Sequence, residues 1–127
     1  MFMEEDIHLI TAKLHFEIAE DLDKEYNDEK DPNKKVACRI VAAQNYFYSL
    51  INMVETILAK NLEKHSFNHE NRMRNMIEHR NLFTDEIIEL YEQVDRNFRN
   101  RVAYRGENGK KYESIKRLAK LLIEYEK

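Results

Sequence analysis

The 127-residue chain has a mass of 15.4 kDa, the length of one ordinary domain, so residues 1–127 read as a single helical domain. With 43% hydrophobic and 35% charged residues but only two glycines and one proline, the composition is that of a helix-rich soluble protein and excludes sheet sandwiches, collagen-like repeats and Gly/Ser linkers. Lys, Glu, Asn or Gln interrupts every helix-length apolar window, which leaves nothing able to span a membrane. Glu4, Glu5 and Asp6 follow Met1–Phe2–Met3 directly, where a secretory signal would carry basic and then apolar residues, so the expected location is the cytoplasm. The single cysteine, Cys38, cannot form an internal disulfide; its mid-helix position suits the core.

Ile7, Ile10, Leu14, Ile18 and Leu22 recur at steps of three and four, predicting an amphipathic helix over about 4–26 with an acidic outer face. Asp31–Pro32 closes the loop that follows and opens the next helix, because the residue before proline avoids helical geometry and proline suits a first turn. Val36, Ile40, Ala43, Phe47, Leu50, Ile51, Val54, Ile57, Leu58 and Leu62 then predict a long helix over about 34–64. Its apolar residues run round much of the circumference, which places it at the centre. A short, weakly packed helix is expected over about 70–80, anchored by Met73, Met76 and Ile77 and opened by His69. Thr84 with Asp85 and Glu86 is a helix start. The stripe Ile87, Tyr91, Val94, Phe98 and Val102 carries that helix to about Arg105, with Gly106 as its stop. Asn108–Gly109 reads as a turn, and a last helix runs from about Lys111 to the end. The fold class is therefore all-α, an antiparallel up-and-down bundle of about five helices.

Charge is unevenly spread. Residues 1–31 carry eleven acids against three lysines, whereas residues 95–120 carry nine bases against three acids. Two readings compete for the basic stretch, a surface for a polyanion or a set of solvated helix faces; for Arg96 and Arg99 the alternative is pairing with acids of the first helix. No cofactor motif is present, since the two glycines cannot build a phosphate loop and the serines lie in no nucleophile elbow. His65-x3-His69 lacks the further Cys, His or acidic partners a metal needs, so no metal site is expected.

The chemistry-bearing segment is Asp95-Arg-Asn-Phe-Arg-Asn-Arg-Val-Ala-Tyr-Arg-Gly106. On a helix with Phe98 inward, Arg96, Arg99, Asn100 and Ala103 share the opposite face at 100° per residue. Arginine suits phosphate because its fork donates two parallel hydrogen bonds and keeps its charge.

This segment resembles the motif of the higher eukaryotes and prokaryotes nucleotide-binding (HEPN) domains, small all-helical proteins many of which are RNA-cleaving toxins or their relatives. That motif is an Arg, often followed by Asn, with a His four to six residues on; here Arg99-Asn100-Arg101-Val102-Ala103-Tyr104 places Tyr104 where the His would stand. Phe47-Tyr48-Ser49 through Glu55-Thr56-Ile57-Leu58 is similar to the family's central helix, and His69-Glu70 to a His that opens the next one, so the likeness covers about residues 36–124.

The resemblance implies a homodimer pairing near the motif, with metal-independent action on RNA. Arg99, Asn100 and Tyr104 would be the catalytic positions, with Arg96, Arg101, Arg105, Lys110 and Lys111 binding nucleic acid. It also implies RNA or nucleotide as ligand and a nucleotidyltransferase-type antitoxin as partner. The departure bears on the reaction itself: a His near pKa ~6.5 exchanges protons at neutral pH, whereas a phenol near ~10 stays protonated and is a poor general base. The expectation is thus a degenerate ribonuclease-like protein, with a non-catalytic module docking an acidic protein as the alternative. Arg74-Asn75-Met76-Ile77-Glu78-His79 matches the motif literally, but a whole long helix still follows it, so it is the runner-up. Tyr46 and Tyr48, on an already apolar central helix, are expected to be exposed and to add surface for the dimer.

Overall fold

The computed structural model describes residues 3–62, 69–95 and 109–125, with side chains over 7–62, 71–95 and 111–125. Helix α1 spans Met3–Asp28, α2 Pro32–Leu62, α3 His69–Glu78, α4 Asp85–Gln93 and α5 Gly109–Tyr125, with a 3-10 turn at Arg80–Leu82. No strand occurs among the described residues, and the fold is an all-α bundle.

Local chemistry fixes the starts and stops. Asp31 caps α2: its Oδ2 accepts from the Lys34 amide at 3.3 Å, while Pro32 occupies the first helical position, where a missing N–H costs nothing. Lys35 secures the end of α1, its Nζ donating to the Tyr26 carbonyl at 2.6 Å and lying 4.5 Å from the centre of that ring. Thr84 caps α4 as expected, its Oγ1 accepting from the Ile87 amide at 3.2 Å. Gly109 belongs to α5 rather than to a turn, a correction of two residues to the expected start. The expected helix over 84–105 is described only to Asp95, and Gly106 lies outside the described residues.

Cross-helix pairs give the directions. His8 meets Asn52 and His15 meets Asn45, so α1 and α2 are antiparallel. Asp23 bonds Lys116 and Glu20 faces Lys120, so α5 runs against α1, and Glu86–Arg117 with Leu82–Tyr125 sets α4 against α5. The order is up, down, up, down, with α3 as a short detour between α2 and α4. One apolar cluster joins all five helices, and α2 supplies most of it, including Tyr46, Leu50, Met53, Val54, Ile57 and Leu58, in keeping with its central place. Cys38 is buried.

Helix α1 overturns its expected orientation. Ile7, Ile10, Leu14 and Ile18 are 55%, 59%, 56% and 48% exposed; of the predicted stripe only Leu22 touches the core. The inward face is Ala12, Phe16, Ala19 and Asp23, about 160° round the helix at 100° per residue. It wins because small residues let the two helices approach closely: Ser49 Oγ donates to the Ala12 carbonyl at 2.8 Å, with Ala42 and Ala43 also buried on α2. Tyr46 is likewise corrected: it is fully buried, ringed by Phe16 and Tyr112, while Tyr48 is exposed as expected. On α3, Met73 and Met76 are buried but Ile77 faces solvent.

Candidate functional site

Arg96, Arg99, Asn100, Arg101, Tyr104 and Arg105 lie outside the described residues, as does His65. Lys110 belongs to the first turn of α5, and Lys111 is half-buried there. In the runner-up motif Arg74 is exposed, Asn75 is buried and His79 is half-buried beyond the end of α3; the first two point to different sides.

The basic side of α5 is largely neutralised inside the chain. Lys116 Nζ lies 2.7 Å from Asp23 Oδ2, Arg117 Nη2 2.7 Å from Glu86 Oε2, and Lys120 Nζ 4.0 Å from Glu20 Oε1. Two of these acids, Asp23 and Glu20, belong to α1; Arg96 and Arg99, for which pairing with that helix is the alternative, lie outside the described residues. Burial alone would lower the Lys116 pKa, but the hydrogen bond and charge of Asp23 outweigh it and the net shift is upward. An open depression of about 420 Å³ along α5 is lined by Glu113, Lys116, Arg117, Lys120, Leu121 and Glu124, so its three cations already have carboxylate partners.

Two polar networks are buried. In the first, Tyr112 donates to Asp23 Oδ1 at 2.6 Å and Tyr46 donates to Glu20 Oε2 at 2.5 Å, with Tyr26 packed edge-on against Tyr112. Burial, then the adjoining carboxylates, pushes both phenols well above the usual tyrosine range. In the second, Arg72 of α3 donates to Glu55 Oε2 of α2 at 2.7 Å and to the Tyr91 hydroxyl of α4 at 3.3 Å. Burial pushes Tyr91 up to about 12, with the Arg72 charge pulling partly back. Each network ties helices together with its donors matched to acceptors, which is what buried polar groups require for stability. Among the described residues no three His, Cys, Asp or Glu converge as metal ligands.

What these networks leave unspent is the open face of α1 and α2. It carries the α1 stripe Ile7, Ile10, Leu14 and Ile18, and on α2 Val41 and Tyr48, 41% and 39% exposed. A seam of two matching pairs runs between the helices. His8 Nδ1 and Asn52 Oδ1 are 3.0 Å apart, and His15 Nδ1 and Asn45 Oδ1 2.9 Å. Each asparagine also donates from Nδ2 to the carbonyl four residues back, Val41 for Asn45 and Tyr48 for Asn52. Because those amides are committed as donors, their Oδ1 atoms accept, which assigns the histidine proton to Nδ1. The His15 ring packs 5.3 Å from Tyr48. The seam therefore needs no charge and fixes the register of the face beside it. Sequence reading passed over these four residues, although their spacing of seven on each helix is the period at which two antiparallel helices bring the same sides back into contact.

No helix among the described residues is long and apolar enough to cross a membrane. No family description, no curated protein and no solved structure matches the chain.

Proposed function

We propose that this protein is a non-catalytic helical interaction module that works through the open apolar face of α1 and α2. The observation that carries this reading is the inverted helix α1, which spends its small and polar residues on its own core and presents Ile7, Ile10, Leu14 and Ile18 to solvent. Half-exposed side chains of this size, with Val41 and Tyr48, amount to on the order of 500 Å² of apolar surface, at the upper end for the largest patch on an ordinary monomer and typical of binding sites. The test is a photo-crosslinking residue at position 14, irradiated in cells, with position 89 on exposed α4 as control. A defined protein adduct from position 14 alone is expected; no adduct, or equal labelling from both positions, removes this reading.

A second reading follows the HEPN resemblance: RNA association, with or without residual toxin-type ribonuclease action, at Arg99, Asn100 and Tyr104. It is supported by the four arginines between Arg96 and Arg105, a stretch with no acid. Arg99→Ala should then weaken RNA binding without lowering thermal stability, and flatten the log-log salt dependence by about one unit. Tyr104→His should gain metal-independent cleavage. RNA binding by Arg99→Ala equal to that of the unaltered protein overturns this reading.

A further inference from the structure

We infer that the occupant of the open face is a second copy of this chain, paired through α1 in antiparallel fashion about a two-fold axis near Leu14 and His15. This rests on the interaction-module reading and names its partner.

Three observations on α1 converge. The first is charge. In a two-fold interface each residue near the axis meets its own kind, so a charge there would face a like charge. Leu14 and Ile18, with the facing Val41, Asn45, Tyr48 and Asn52 of α2, carry no formal charge, and the Nδ1 of His15 is engaged by Asn45 Oδ1. A polyanion or an acidic protein would find no cation on this strip.

The second is the flank. Lys13 and Glu17, one helical turn apart on the side of the stripe away from α2, are both exposed and take part in no ion pair among the described residues. In an antiparallel pair like flanks face each other, as in antiparallel coiled coils. An axis beside residue 15 sets Lys13 opposite the partner's Glu17, and Glu17 opposite the partner's Lys13. The same two residues pair twice, so the flank is complementary to itself.

The third is area. About 500 Å² of apolar surface lies beside the polar His–Asn seam and the Lys13–Glu17 flank, and together they approach the ~800 Å² per partner of a standard stable interface. The stripe ends at Asp21, which limits the contact to the N-terminal three-quarters of α1. This places the dimer contact on the α1–α2 hairpin, not around the Arg99 segment where the family resemblance would put it.

The experiment is light scattering on the purified full chain at tens of micromolar, with three variants. The unaltered protein should have twice the 15.4 kDa chain mass. Ile10→Glu with Leu14→Glu should be a monomer of unchanged helicity, its dissociation constant raised at least about 100-fold. Lys13→Glu should weaken the dimer about fivefold, and Lys13→Glu with Glu17→Lys should restore it, because exchanging the two charges rebuilds both pairs only in the antiparallel two-fold arrangement. A monomer for the unaltered protein overturns the proposal, and so does a charge exchange that fails to restore association. If the unaltered protein is monomeric while position 14 crosslinks in cells to a protein of another mass, the second copy is ruled out and the module reading stands. If position 14 gives no adduct, both fall.

Discussion

The two faces of α1 divide their residues in opposite senses. The side turned to α2 and α5 holds Ala12, Ala19 and Asp23, flanked by His8, His15 and Glu20, whereas the side turned to solvent holds three isoleucines and a leucine. The inner side succeeds because every polar group on it has a partner: Asp23 takes Tyr112 and Lys116, Glu20 takes Tyr46, and the histidines take asparagines. The comparison teaches that burial goes to the face whose shape and hydrogen bonds fit its neighbours, and that hydrophobicity alone does not choose that face.

The largest test of that comparison is Asp23→Ala. It strands the Tyr112 hydroxyl and the Lys116 ammonium together, and the expected cost is about 3 kcal/mol in urea unfolding. A cost near that of a surface change would show that the network does not hold the inner face in place. Ala12→Leu comes next, at about 2 kcal/mol, because the added methylenes have no room where Ser49 bonds the Ala12 carbonyl. If it is neutral, the close approach of α1 and α2 is not what selects this face.

Tyr112→Phe should cost about 1 kcal/mol, since Asp23 keeps Lys116 as a partner. The same hydroxyl sets an alkaline limit. The folded-state pKa values of Tyr46 and Tyr112 lie above the unfolded value near ~10, so their contribution is complete below that pH and is lost as pH rises beyond it. Unfolding free energy should therefore fall with pH above about 10, and the fall should be shallower in the Tyr46→Phe, Tyr112→Phe double variant. An equal slope in both proteins would mean that these phenols titrate alike in the folded and unfolded states.

Much of the architecture was readable from residue order. Asp31–Pro32 and Thr84–Glu86 mark starts by local chemistry, and the many-sided apolar pattern of α2 marks the centre; each is contained within one continuous stretch of chain. The facing of α1 was not readable, because the helix carries two apolar stripes and periodicity weighs them by hydrophobicity alone. What decides between them lies far along the chain: Tyr112 and Lys116 for Asp23, Tyr46 for Glu20, Ser49 for the backbone at Ala12. Tyr46 was misplaced for the same reason, since its partner Glu20 lies 26 residues away. The segment from Arg96 to Arg105 is singled out by sequence resemblance alone, whereas the His–Asn seam depends on α1 and α2 lying side by side.

The central claim, that the outer stripe of α1 is surface rather than core, is tested most directly by Leu14→Ala. The substitution is made in the Ile10→Glu background, whose added charge opposes the proposed self-association, at a concentration where light scattering gives a monomer, and unfolding free energy is measured by urea titration against Ile10→Glu alone. The account predicts a difference within about 0.5 kcal/mol, the range of ordinary surface substitutions. A loss of about 2–5 kcal/mol, the cost of removing a leucine from a core, would place Leu14 inside the protein and contradict it.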